Sequence, residues 1–183
     1  GLSGAILQIL MSESDLGLRV NRLLRERSVQ QRTFALIRED VKRSSRISAN
    51  PQLEQHACSL AGRLPVLHLS TAAGAITYTV GGPPSTIWRG QVLMRCGPAF
   101  DLSGQPSIWS SAQNRVVIDG LALNAEHWRE CSQIVGDKSE TPIELSGSAN
   151  RAFSACLDQQ NSSLGIRLIQ QFSGPDKIAQ TIK

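Results

Sequence analysis

The sequence predicts an α+β protein in which a long N-terminal helix packs on an antiparallel β-sheet. Two observations lead to this fold class. The first is the lack of helix-breaking residues near the start of the chain. No proline precedes Pro51, and Gly17 is the only glycine between Gly4 and Gly62. The second is the spacing of apolar residues, which is three to four in the first quarter of the chain and two further on.

Apolar residues recur at helical spacing along the charge-dense run VNRLLRERSVQQRTFALIREDVKRSSR of residues 20–46. This apolar stripe fades between residues 26 and 32, where only Val29 is apolar. A helix with such a stripe is expected to pack over part of its length only. Serines, Asn50 and Pro51 then mark the end of the helix. The side chains expected to pack the helix on the sheet are Phe34, Ile37 and Val41.

Segments of alternating or β-rich sequence follow and predict a hairpin-linked sheet. They are PVLHLS (65–70), AITYTV (75–80), TIWRGQVLMR (86–95), RVVIDGLAL (115–123) and LGIRLIQQFS (164–173). Residues 124–160 stay open, with AEHWREC as a helical turn and PIELSG and RAFSACL as short strands. The chain is therefore divided into a helix, residues 1–49, and a globular head, residues 50–183.

The net charge of +4 is concentrated at the start of the chain. Residues 1–49 hold nine basic and five acidic residues, and the remainder holds ten of each. A basic helix suggests contacts with phosphates. Acidic residues interleave with the arginines, however, which is typical of a solvated or partner-facing helix with ion pairs along it. Aromatic residues make up 4% and are scattered, so no platform for stacking bases is evident.

Motifs for catalysis and cofactor binding are missing from the sequence. There is no GxSxG, no phosphate-binding GxxxxGK[ST] and no GxGxxG. A zinc site made from the pairs His56 with Cys58 and His127 with Cys131 has the right residue types. The long separation of the two pairs favours disulfides instead, and His68 is interpreted as a sheet residue. We expect no enzyme activity, no cofactor and no metal.

The four cysteines are widely spread, and their even number fits structural disulfides and an oxidising compartment. Four buried free thiols would give the same pattern. The cysteines are Cys58, Cys96, Cys131 and Cys156.

Several segments together resemble PilW-like minor pilins of type IV pili and the related GspJ-type pseudopilins of type II secretion. They are the helix end RTFALIREDVKRSSRI and the strands AGAITYTV, STIWRGQVLMRCGP and NRVVIDGLAL. In the helix the resemblance is carried by Arg32, Phe34, Ala35, Arg38, Asp40, Lys42 and Arg43. In the strands it is carried by Gly74, Ile76, Tyr78, Ile87, Trp88 and Arg89. The segment VLMRCGPAFDLSGQP is most similar to cyanobacterial members.

The resemblance implies a structural subunit that helps to initiate or cap a type IV pilus-like filament. Its partners would be other pilins or pseudopilins, and the alternative is a DNA-uptake pilin that binds DNA through the helix or the head. The full-length protein would sit in the inner membrane with its head in the periplasm, and on the cell surface after assembly. The apolar GLSGAILQILM at the start is then the end of a longer membrane segment, and the chain is N-terminally truncated. The expected subunit interface on the helix comprises Arg19, Arg22, Arg25, Arg27 and Arg32.

Four cysteines allow three pairings. Pairing neighbours in the sequence closes the smaller loops, which favours Cys58 with Cys96 and Cys131 with Cys156.

Overall fold

The computed structural model describes residues 2–51, 54–129, 131, 144–145, 151–158, 163–171 and 176–182. The side chains of residues 2–19, 22, 144–145 and 176–182 lie outside this description. The elements are α1 (Leu2–Arg43), β1 (Ser44–Ser48), β2 (Arg63–Thr71), β3 (Gly74–Gly81), β4 (Gln91–Gly97), β5 (Gln113–Leu121), β6 (Glu144–Leu145), β7 (Phe153–Asp158), β8 (Ser163–Gln170) and β9 (Asp176–Ile182).

One antiparallel sheet contains all nine of these strands, in the order β1-β2-β3-β4-β5-β8-β7-β6, with β9 paired to β8. The first five strands form a meander whose neighbours follow one another along the chain. The junction of β5 with β8 is narrow, because Leu121 opposite Gln170 is its one ladder pair. The amide of Gln170 donates a further bond to the carbonyl of Asp119 over 3.0 Å.

The sheet curls at this junction so that it nearly closes on itself, and β7 comes back to lie beside β2. Apolar side chains on the inner face then meet across the interior. Tyr78 of β3 and Phe153 of β7 illustrate this, with ring centroids 6.4 Å apart and both side chains buried. The curl buries apolar surface from both halves of the sheet, which supplies the main driving force for the fold.

The outer face of β7 and β8 is buried as well, so every residue of these two strands is buried. Arg167 of β8 donates to the carbonyl of Glu126 over 2.8 Å and lies 5.6 Å from the Trp128 ring centroid. Trp128 belongs to a segment that covers this face, and the disulfide between Cys131 and Cys156 of β7 attaches this segment to the sheet. Residues 126–129 and Cys131 therefore shield this face from water.

The predicted α+β fold, with a long helix packed on a sheet, is wrong. The extensive contacts between elements all join strands to strands. The chain is mainly a curled antiparallel sheet, to which the helix contributes its C-terminal end. The physical reason is that the sheet covers its own inner face by curling, so no long helix is needed as a second layer.

Two compact units divide the chain, Gly1–Leu36 and Ile37–Lys183. The end of α1, from Ile37 to Arg43, therefore belongs to the second unit, and the rest of the helix belongs to the first. Residues 44–48, expected at the end of the helix, form β1 and pair with β2.

Several predicted strands differ from the observed ones. Of the segment TIWRGQVLMR, the part from Gln91 onward is strand, and it continues as β4 to Gly97. Gly90 precedes it with φ 60°, where a Cβ would lie 3.1 Å from the carbonyl oxygen of Leu121. A positive φ suits glycine, which explains why the strand does not extend further back. RAFSACL corresponds to β7, and AEHWREC is irregular over its described residues up to Arg129.

Among the residues that the structure describes, no helix combines the length and the apolar character needed to cross a bilayer.

Candidate functional site

The end of the helix is joined to the sheet by a buried group of three polar side chains, which we call the clamp: Asp40, Tyr78 and Arg95. Asp40 lies three residues before the end of α1 and is fully buried. Tyr78 and Arg95 stand opposite each other on β3 and β4, so their side chains share the inner face. The helix spacing that buries Ile37 also turns Asp40, three residues later, toward this face.

Every contact in the clamp is short. The Tyr78 hydroxyl donates to Asp40 Oδ2 over 2.6 Å. Arg95 donates from Nε to Oδ2 over 2.6 Å and from Nη2 to Oδ1 over 3.0 Å, which makes a two-pronged ion pair. The third nitrogen, Nη1, donates to the Pro98 carbonyl over 2.9 Å. Such a charged and fully hydrogen-bonded arrangement is what allows a carboxylate and a guanidinium to be buried.

The electrostatics of the clamp favour an ionised pair and a neutral phenol. Burial raises the pKa of Tyr78 well above its ordinary value, and the negative charge of Asp40 raises it further. Burial by itself lowers the pKa of Arg95, but the hydrogen bond and charge of Asp40 outweigh this, so the net shift is upward. The phenol is held as a donor and the guanidinium as a cation, which matches the contacts.

An aromatic ring extends the clamp toward the surface. The Arg95 guanidinium carbon lies 4.9 Å from the centroid of the Phe100 ring, and that of Arg43 lies 5.9 Å from the same centroid. Both distances are within the range of cation–π attraction. Phe100 lies near the start of the loop between β4 and β5, so this contact links the end of the helix to that loop.

The β4–β5 loop is ordered but exposes apolar side chains. The Asp101 carboxylate accepts bonds from the Ser103 hydroxyl over 2.7 Å and from Ser103 N and Gln105 N, each over 2.9 Å, and these bonds, that of the Ser103 hydroxyl foremost, lower its pKa. Leu102 within this turn is exposed, and so are Ile108 and Trp109 beyond it.

The structure describes the side chains of three of the five arginines expected at a subunit interface. Arg25, Arg27 and Arg32 are exposed on the helix. Arg32 donates to the Ser28 hydroxyl over 3.2 Å. The side chains of Arg19 and Arg22 lie outside the part of the chain that the structure describes. Of the residues expected to pack the helix, Phe34 and Ile37 are buried and Val41 is half-buried.

Both disulfides are formed, and they join Cys58 to Cys96 and Cys131 to Cys156, the pairing favoured from the sequence. No thiol is left free, which rules out the zinc site considered from the His–Cys pairs. Within the described ranges, no group of three or more histidine, cysteine, aspartate or glutamate residues is arranged to hold a metal ion.

Sequence reasoning named Asp40 and Tyr78 separately but did not bring them together with Arg95. His68 lies in β2, as its interpretation as a sheet residue predicted, and its imidazole also contacts Thr77 and lies near His56. One signal was available for the clamp: a tyrosine and an arginine lie within the predicted strands AITYTV and TIWRGQVLMR, and a polar side chain in a buried strand needs a hydrogen-bonding partner.

Comparison of the chain with protein-family models, with curated proteins and with solved structures finds no match.

Proposed function

We propose that the chain is a structural subunit of a pilus-like filament, of the minor pilin or pseudopilin type. The observation that carries the proposal is the clamp, which fastens the end of a helix of 42 residues to a sheet held by disulfides. A filament subunit needs such a joint, because force applied to the helix during assembly must reach the head without pulling the two apart.

The surface of the helix supports the same proposal. Leu23 and Leu24 follow Val20 by three and four residues. The side chains of Val20, Leu23 and Leu24 are 45%, 44% and 58% exposed. Residues at this spacing share one face of a helix. Exposed apolar side chains on one face, flanked by the exposed Arg25 and Arg27, suit packing against a neighbouring helix through apolar contacts and complementary charges.

The location follows from the same proposal. A filament subunit of this type starts in the inner membrane, with its head in the periplasm, and moves to the cell surface on assembly. Disulfides persist in such oxidising compartments, and the two in this chain support that location. The partners are other pilins or pseudopilins.

A photo-crosslinking amino acid placed at Leu23 or Leu24 tests the proposal in cells that make this protein. We expect crosslinks to a second helical subunit from both positions. The matched control is the same amino acid at Ile87, which is exposed on the head at 76% and should give no such product. Deleting the gene should also reduce the number of surface filaments or secretion through them. Unchanged filaments and secretion, together with no helix crosslink, would refute the proposal.

DNA binding is the second candidate, and the exposed Arg25, Arg27 and Arg32 favour it. Phosphate contacts make affinity fall steeply with salt. Electrophoretic shift assays over a salt series, with Arg25→Glu/Arg27→Glu as the variant, separate the two candidates. Salt-dependent binding that the variant loses supports DNA uptake. If no shift occurs at low salt, DNA binding is excluded and the filament role remains.

A further inference from the structure

The loop between β4 and β5, residues 98–112, holds three large apolar side chains in contact with solvent. Leu102, Ile108 and Trp109 are 111%, 63% and 91% exposed. One exposed apolar side chain is ordinary on a protein surface, but several in one short loop are typical of a contact surface. The loop is therefore a candidate for binding a partner.

Two backbone hydrogen bonds close residues 99–107 into a small hairpin. Ser107 N donates to the carbonyl of Ala99 over 2.7 Å, and Asp101 N donates to the carbonyl of Gln105 over 2.8 Å. The apolar side chain in the turn of this hairpin cannot be withdrawn from solvent unless these bonds break. A loop that is already ordered also loses little conformational entropy when it binds.

Two arginines lie beside the base of the loop. The guanidinium carbon of Arg43 is 5.9 Å from the centroid of the Phe100 ring. Arg115 of β5 stands opposite Arg95 of β4, so it faces the same side of the sheet as Arg95, which also contacts that ring. Among the residues that the structure describes, neither Arg43 nor Arg115 forms an ion pair. Both cations are therefore available to an anionic partner.

The carboxylates around this end of the sheet are already engaged. Asp40 is held in the clamp, and Glu39 pairs with Lys42 over 3.2 Å. Asp101, the one charged residue in the sequence of the loop, accepts hydrogen bonds within its own turn, including that of the Ser103 hydroxyl. The loop thus combines exposed apolar side chains with a positively charged base.

We propose that the β4–β5 loop binds the surface of a bilayer that is rich in anionic lipid. Leu102, Ile108 and Trp109 enter the interface, and the guanidinium groups of Arg43 and Arg115 bind the headgroup phosphates. Apolar side chains next to basic ones are the combination that binds such a surface. Tryptophan is favoured at the interface, because its ring is apolar and its N–H is polar. The proposal concerns the head and does not depend on the filament role.

A protein or a nucleic acid fits this surface less well than a bilayer does. A specific protein interface buries roughly 800 Å² on each side. Three side chains fall short of that area, since even a large aromatic residue buries about 150–250 Å². A nucleic-acid base could stack on Trp109, but it would leave Leu102 and Ile108 without a partner. A bilayer adapts to the shape of a projecting loop and covers all three side chains.

The fluorescence of Trp109 tests the proposal in the intact chain. The protein is titrated with vesicles of equal parts phosphatidylglycerol and phosphatidylcholine whose acyl chains carry bromine, a quencher confined to the hydrocarbon. Trp109→Phe keeps an aromatic ring but removes the reporter, so the difference between the native chain and this variant is the Trp109 signal. We expect this signal to be quenched, even if the helix also contacts lipid. An unquenched Trp109 would overturn the proposal.

Substitution of the other two apolar side chains tests the insertion. Leu102→Ser/Ile108→Ser should raise the lipid concentration for half-maximal quenching of Trp109 by about tenfold, because two apolar side chains no longer leave water on binding. The matched control is Ile87→Ser, which removes an apolar side chain that is 76% exposed in the loop between β3 and β4. This control should bind as the native chain does. Equal effects of the two variants would refute insertion through the β4–β5 loop.

The role of the arginines is tested by Arg43→Gln/Arg115→Gln. This variant should bind the anionic vesicles more weakly by roughly fivefold for each arginine and should not differ from the native chain on pure phosphatidylcholine. Arg89→Gln/Arg151→Gln changes the net charge equally at exposed positions near the other end of β4, and it should bind as the native chain does. Equal losses in both variants would contradict a headgroup site at the loop.

A photo-crosslinking amino acid at Leu102 identifies the partner in cells that make this protein. We expect adducts with phospholipid. Adducts with protein or nucleic acid, and none with lipid, would overturn the proposal in favour of those partners.

Discussion

The carboxylate of Asp40 is buried against Arg95 and Tyr78, so the attachment of the helix end to the sheet depends on it. A buried ion pair contributes little to the free energy of unfolding when it is compared with apolar residues of the same shape. The loss of one partner is costly, however, because it leaves the other charge buried without a counterion. The clamp is therefore sensitive to single substitutions, even though the net free energy that it contributes is modest.

Asp40→Asn should lower the free energy of unfolding by about 3–5 kcal/mol, because the Arg95 guanidinium, 7% exposed, would keep its charge without a counterion. Chemical denaturation measures this. The control is the neighbouring Glu39→Gln, which removes an exposed pair with Lys42 at 3.2 Å and should change stability little. Equal effects of the two substitutions would show that the clamp does not hold the helix end.

Tyr78 is the only tyrosine in the chain, so tyrosinate absorbance reports on the clamp alone. Since burial raises its pKa, the phenol's contribution to stability is complete below the ordinary value of about 10 and is lost as the pH rises through the raised value. We expect the native chain to show no tyrosinate until it unfolds, whereas the denatured chain titrates near the ordinary value. Reversible titration near pH 10 in the folded chain would contradict the burial of this hydroxyl.

At the scale of elements, the disulfides hold irregular segments against the sheet. Cys58–Cys96 fastens the segment around Cys58 to β4, and Cys131–Cys156 fastens the segment that covers β7 and β8. Their partners lie 38 and 25 residues apart in the sequence. Loop entropy depends weakly on length, so the two bonds should stabilise the chain by comparable amounts.

Replacing Cys58 and Cys96 together by alanine should lower the free energy of unfolding by roughly 3–4 kcal/mol, the value expected for closing a loop of this size. Replacing Cys131 and Cys156 together by alanine should lower the free energy of unfolding by a similar amount. Denaturant titration of each double variant provides the measurement, and Ser59→Ala, at the exposed position that follows Cys58, is the neutral control. If either double variant matches the control, the corresponding segment does not depend on its disulfide.

For the whole molecule, the important division lies inside the helix. The first compact unit ends at Leu36 and the second contains the clamp, both disulfides and all the strands. Residues 37–183 thus hold the contacts that stabilise the sheet, and the sheet should not need the first turns of the helix in order to fold.

Limited digestion with trypsin tests this division. Cleavage should occur first after the exposed Arg25 and Arg27, and the remaining chain should keep its β-sheet spectrum and its thermal transition within a few degrees. Arg25→Gln/Arg27→Gln, which removes both sites, should slow the first cut. Loss of the transition on cleavage would show that the sheet depends on the first unit.

The helix and most of the strands could be predicted from the sequence, because both are set by spacing over neighbouring residues. The lack of proline before Pro51 and the alternation around Tyr78 are local signals of this kind. The cysteine pairing could be favoured for a related reason, since short loops close at lower entropic cost. The basic helix with interleaved acids is also a property of the sequence itself.

Only the tertiary structure decided how these elements meet. The sheet joins β5 to β8, which are far apart in the chain, and its curl covers the inner face together with the C-terminal end of the helix. The clamp joins residues separated by 38 and 55 positions, and His56 contacts Thr77 across 21 positions. Spacing along a chain carries no information about such pairings, because the burial that makes them favourable exists only once the sheet has closed.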